Sequence, residues 1–183
     1  ASSTHHGEEL FCAKAHIELK KKIKNLITII IPRHIHRSEE IISEIKDLGL
    51  NVTQHSAKPR SLKNIDIYIV DTFGETKKFH KIGCSVFLGG SIIERGGQNP
   101  LEAARFGAKI LHGPNTDNFR DVYNLLKSLK VSKKIHTPKQ LASSVTFRKN
   151  TIKGNKIKNI GQNILKKTIK ELDYFIINES KKT

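Results

Sequence analysis

The sequence contains no methionine and no tryptophan, and only two cysteines, Cys12 and Cys84, among 183 residues. Two thiols without a CxxC pair supply neither a disulfide framework nor a thiolate zinc site, so a reduced, cytosol-facing protein is expected. No apolar run approaches the ~18 residues that span a bilayer, and no secretory signal opens the chain. Aromatic residues make up 6%, too few for the interleaving of bases and rings that marks a nucleic-acid groove. Acidic residues are also scarce. There are 17 against 33 Lys and Arg, for a net charge of +16.

What is present describes a folded chain. At 37% hydrophobic and 27% charged, an ordinary core is available and disorder throughout is excluded. The length suits about one domain. The charge is uneven: +1 over 1–50, +5 over 51–130 and +10 over 131–183. A basic tail suits nucleic acid, an anionic membrane surface or an acidic partner. Because 26 of the 33 bases are Lys, a Lys-rich composition with solvated faces is the plain alternative.

Strand and helix signals alternate. Leu26 to Ile31 is a short, branched apolar run ending at Pro32, as expected of a buried parallel strand. Helical spacing precedes it over Gly7 to Lys22 and follows it over Ser38 to Leu48, with Ser38 as N-cap and Gly49 as stop. Further strands are expected at 51–54, Asp66 to Val70, Ser85 to Leu88 and Lys109 to His112. Helices are expected through Phe79, over Asn99 to Phe106 and over Phe119 to Leu129. This alternation predicts an α/β fold with an open, doubly wound parallel sheet. Such sheets bind ligands at the carboxyl ends of their strands. Polar and glycine-rich stretches fall at four of those ends: Pro32-Arg33-His34, Asp71-Thr72, Gly89-Gly90-Ser91 and Gly113-Pro114-Asn115. In the tail, Thr137-Pro138 starts a helix, and Gly154, Asn155 and Asn159 interrupt a Lys-rich stretch. Asn163 to Ile177 forms an amphipathic helix with Ile164, Leu165, Ile169 and Leu172 on its apolar stripe.

The densest stretch is Ser85 to Pro114. Gly89 and Gly90 end a strand and permit close approach to its backbone. Asn99, Pro100 and Glu102 read as N-cap, N1 and N3 of a capping box, and that helix terminus would favour a phosphate. Glu102 has two candidate roles, closing the box or accepting ribose hydroxyls. Neither GxGxxG nor a P-loop is present. Nine histidines offer no four-ligand zinc spacing.

These blocks resemble the Kdo transferases, which move 3-deoxy-D-manno-octulosonic acid from CMP-Kdo to lipid A precursors. Ser3-Thr4-His5-His6-Gly7-Glu8-Glu9 is similar to the family's S-T-H-x-G-E-E, and Pro32-Arg33-His34 to its P-R-H. Asp71-Thr72-Phe73-Gly74-Glu75 is similar to D-T-x-G-E, and Val86 to Glu102 to V-F-x-G-G-S followed by R-G-G-x-N-P-x-E. Gly113-Pro114 with Asn118-Phe119 matches G-P-x-x-x-N-F. The blocks run in order from residue 1 to about 128. Gln98 and Asn115 stand where the family has His.

The resemblance implies a Rossmann-like domain, the C-terminal half of a GT-B glycosyltransferase. It implies a CMP-Kdo-binding unit over 1–130 and a basic helical segment packing on it over 131–183. Substrate-binding positions carried over are Ser3, Thr4, His5, Glu8, Arg33, His34, Thr72, Gly89, Gly90, Ser91, Arg95, Asn99 and Glu102. Arg33 and Arg95 would meet donor oxyanions, Gly89, Gly90 and Ser91 would offer phosphate donors, and Asn99 and Glu102 would hold ribose and phosphate. Ser3, Thr4, His5 and Glu8 would line the interdomain cleft. No catalytic residue is expected here, because the family's carboxylate base lies in the other half. No metal or other cofactor is expected. The implied partners are CMP-Kdo, a lipid A precursor reached through the other half, and an anionic membrane surface. The implied location is the cytoplasmic face of the bacterial inner membrane. A nucleic-acid module and another GT-B nucleotide-sugar enzyme are the alternatives.

Overall fold

The computed structural model describes residues 1–179. Seven strands alternate with helices: β1 (Ser2–Thr4), α1 (Glu8–Lys20), β2 (Thr28–Pro32), α2 (Ser38–Lys46), β3 (Val52–Gln54) and β4 (Ile67–Ile69) come first. Then follow α3 (Thr76–Ile82), β5 (Ser85–Leu88), α4 (Leu101–Arg105), β6 (Lys109–His112), α5 (Arg120–Ser128), β7 (Ser132–Lys134), α6 (Pro138–Ser144) and α7 (Thr151–Glu179). The strands form one sheet in the order β3-β4-β2-β1-β5-β6-β7, and every pairing is parallel.

Side-chain alternation along the strands makes two cores. Ile30, Ile67, Ile69, Phe87 and Leu111 point to the face covered by α1, α2 and α6, where Ile41 and Ile45 of α2 are wholly buried. Val86, Leu88 and Ile110 point to the other face, against Ala103 and Ala104 of α4, Tyr123 and Leu126 of α5 and Ile157 of α7. The result is the expected open, doubly wound, Rossmann-like sheet.

Three features differ from the sequence reading. The sheet does not stop at residue 130, because Ser132–Lys134 pairs with β6 as a seventh strand, and α6 then packs on α1. The 131–183 segment is thus partly sheet. Gly154, Asn155 and Asn159 do not interrupt α7, which is one helix of 29 residues. Gly154 instead permits close packing, since a Cβ there would lie 2.8 Å from the Arg105 carbonyl and the Gly107 nitrogen. Finally, α7 is only half docked: Ile157 is 2% exposed, whereas Ile164, Leu165, Ile169 and Leu172 are 48–60% exposed.

Candidate functional site

The chain leaves β1 for β2 on one side and later returns to β5 on the other, so the topological switch point lies between β1 and β5. Their carboxyl ends approach closely: a Cβ on Gly89 would lie 2.2 Å from the Ser3 carbonyl oxygen. Only glycine fits there. Gly7, with φ 85°, precedes α1 and turns the β1 segment into it.

Glu8 joins the two loops. Its side chain is wholly buried, and its carboxylate accepts the Gly90 N–H at 2.7 Å, the Ser91 N–H at 3.1 Å and the Ile92 N–H at 3.0 Å. It also accepts the His5 N–H at 3.0 Å. This corrects two expectations. Glu8 does not line an open cleft, and the Gly90 and Ser91 amides are not free for a phosphate, because the buried Glu8 carboxylate already takes their hydrogen bonds. Gly89 N–H donates to the Ser2 carbonyl. The Ser91 hydroxyl is likewise internal, donating to the Leu88 carbonyl and accepting the Gly113 N–H at 2.8 Å. Thr4 is buried too, and Ser3 is half-buried with a left-handed φ of 54°.

Around this brace the structure gathers two arginines and a group of histidines. The His5 ring lies edge-on to His34 at 5.7 Å, and His34 lies 5.6 Å from His36. Burial pushes the His5 imidazole below the ordinary histidine value. The Glu8 charge opposes that shift, and the charges of His34, Arg95 and Arg33 add to it. His5 Nε2 is buried without a hydrogen bond, beside Gly90. Arg33 and Arg95 are exposed, and among the described residues neither guanidinium pairs with a carboxylate. The neighbouring Glu40 pairs instead with Arg37. Two unpaired guanidinium groups beside two imidazoles form a seat for an anion.

The loop after β5 is held in place. Gly97 N–H donates to the Gly90 carbonyl at 2.8 Å, and Asn115 Nδ2 donates to the Ile92 carbonyl at 3.1 Å. Asn115 thus has a bracing role. The Gln98 carbonyl accepts the Tyr123 hydroxyl at 2.9 Å. The predicted capping box is absent. The helix begins at Leu101, and Asn99 Oδ1 accepts the Leu101 N–H at 3.0 Å. Glu102 turns to His80, whose Nδ1 lies 3.2 Å from Glu102 Oε1, and His80 Nε2 lies 3.0 Å from Ser2 Oγ. Sequence reasoning missed His80. A lone histidine carries no signal when its partners lie 78 and 22 residues away. Thr72 follows β4, two strands from β1, with its Oγ1 buried and unpaired.

Two other features lie beside this crevice. His6, Glu40 and Glu44 converge at the surface, but the Arg37 guanidinium already occupies their midst, 3.1 Å from His6 Nδ1 and 3.3 Å from both Glu40 oxygens. A largely apolar cavity of about 310 Å³ opens at the amino-terminal edges of β2 and β5, beneath Ala1. Ser2 and His80, which join it to Glu102, stand in its wall.

No family model matches the chain. It is 32% identical over 181 residues, 99% of its length, to a 3-deoxy-D-manno-octulosonic acid transferase of Rickettsia prowazekii, of which it covers 37%. It is 31% identical over 126 residues, 69% of its length, to the enzyme of that name from Haemophilus influenzae, covering 30% of it. The chain thus spans about a third of the length of the curated relatives it matches. Among solved structures it is similar to the C-terminal CMP-Kdo binding domain of WaaA from Acinetobacter baumannii, with a TM-score of 0.72 and 24% identity, covering 78% of this chain and 74% of that one. That likeness shows the shared fold.

Proposed function

The chain belongs by sequence to the 3-deoxy-D-manno-octulosonic acid transferase family, and we propose that it is the donor-binding half of such an enzyme, a GT-B glycosyltransferase. The observation that carries the reading is the cluster of Arg33, Arg95, His5 and His34 at the β1–β5 switch point. A nucleotide-activated sugar acid brings a phosphodiester and a carboxylate, and the two free guanidinium groups meet those charges. The reading calls for no metal. The phosphate-facing donors are side chains rather than the Gly90 and Ser91 amides, which Glu8 already holds. Glu102, half-exposed in the first turn of α4, accepts ribose hydroxyls.

Transfer also needs a base within hydrogen-bond reach of the acceptor hydroxyl. No residue here is assigned that role, so the reading has this chain bind donor without transferring sugar. The acceptor, a lipid A precursor, would meet the other half. The Lys-rich α7 suits the anionic surface at the cytoplasmic face of an inner membrane.

Calorimetric titration of CMP tests the reading. Arg33→Ala and Arg95→Ala should each weaken binding on the order of tenfold or more, the worth of one charge-assisted bond, with unchanged melting. Undetectable CMP binding, or equal affinity in both variants, would sink it.

A further inference from the structure

Glu102, in the first turn of α4, faces solvent with its side chain 49% exposed. A surface glutamate ordinarily samples several rotamers. Here it does not stand alone. His80, on α3, is 5% exposed and reaches Glu102 Oε1 through Nδ1 at 3.2 Å. A carboxylate only accepts, so Nδ1 carries the proton. Nε2 is then the acceptor, and the Ser2 hydroxyl, itself 1% exposed, donates to it at 3.0 Å. The carboxylate sets the tautomer, the buried serine hydroxyl donates to the ring nitrogen that remains, and Nδ1–H holds one oxygen of Glu102. Burial favours the neutral ring, against the pull of the Glu102 charge.

We propose that His80 is a positioning residue for Glu102: the Ser2–His80 pair holds Oε1 so that the other carboxylate oxygen is aimed at the ribose hydroxyls of the nucleotide. This deepens the donor-site reading and rests on it. A chain Ser–His–carboxylate resembles a nucleophilic triad, but the order of exposure is reversed. The serine is buried in the sheet and the carboxylate faces outward, so the array orients an acceptor and activates no nucleophile.

The readout is discrimination between CMP and 2′,3′-dideoxycytidine monophosphate, which lacks the hydroxyls. A merely structural loss would weaken both ligands alike. In the unaltered chain CMP should bind on the order of tenfold tighter, and Glu102→Ala should abolish that ratio. His80→Phe, which keeps ring shape but no donor, should shrink the ratio at least threefold through weaker CMP binding alone. His80→Asn, which places an amide N–H where Nδ1 stood, should restore most of it, and Ser2→Ala should reduce it in between. Should His80→Phe not fold, Ser2→Ala and His80→Asn carry the test. A full ratio in Ser2→Ala and His80→Phe, with its loss in Glu102→Ala, would overturn the role of His80 and leave the donor reading standing. A full ratio in Glu102→Ala would overturn the roles of Glu102 and His80 alike.

Discussion

Glu8 Oε2 accepts the Gly90 N–H at 2.7 Å, across 82 residues of chain. The carboxylate fills the concave run of amides after β5 that would otherwise serve an external anion. The loops at the ends of β1 and β5 are thereby made one rigid wall, and the work of binding falls to the side chains upon it. The first prediction concerns this brace. Glu8→Gln keeps the shape but sets an amide NH2 against N–H donors, leaving at least one buried donor unmatched. It should cost about 1–3 kcal/mol of stability, and CMP binding should weaken with it. Chemical denaturation measures the first and calorimetry the second. Unchanged unfolding would mean that these amides find other partners.

Acid should unfold the protein earlier than its carboxylates alone require. His16 is wholly buried, with Nδ1 2.9 Å from Thr28 Oγ1 and Nε2 3.5 Å from Asp66 Oδ1. Burial lowers its pKa despite Asp66, and burial also lowers that of His112, whose ring is tilted against Tyr123 with centroids 4.4 Å apart. A histidine depressed in the native state contributes stability that is fully present above the unfolded value of about 6.5 and fades as pH falls below it. Each proton taken up on unfolding lowers stability by up to about 1.4 kcal/mol per pH unit. Urea midpoints should therefore decline from pH 7 to pH 5.5. The decline should be shallower in His16→Asn. A flat profile across that range would show that these rings protonate equally in the native state.

How much of this was legible in the sequence depends on where each partner lies. Ser85–Leu88 and Lys109–His112 have the expected bounds, because branched and aromatic residues between turn signals leave little else to form. β1 and β7 escaped notice because Ser2–Thr4 and Ser132–Lys134 are polar, and only flanking strands make them strands. Arg33 and His34 were legible from their place after a buried strand. The capping box failed because it weighed only local bonds, whereas Glu102 has His80 on a neighbouring helix. In α7, Gly154, read as an interruption, is a contact with Gly107 backbone, and a Cβ on Gly161 would lie 2.9 Å from Arg105 Nη2.

The last prediction concerns the distal half of α7. Gly154, Ile157 and Gly161 lie on the side that meets α4, and helical spacing continues that side through Leu165, Ile169 and Leu172. The apolar stripe thus runs past the edge of its own domain, while Lys166, Lys167 and Lys170 occupy other sides of the helix. Among the described residues no helix is long and apolar enough to cross a membrane, so attraction to lipid would be a surface effect of roughly 1 kcal/mol per Lys, screened by salt. Truncation before residue 150 would remove Ile157 from the core and confuse folding with binding. Truncation after Gly161 keeps the docked half. The shortened chain should melt within a few degrees of the full one and bind CMP equally. It should bind vesicles of mixed neutral and anionic lipid less tightly, with a shallower salt dependence measured by co-sedimentation. Equal vesicle binding by both chains would show the distal lysines to be a solvated face and nothing more.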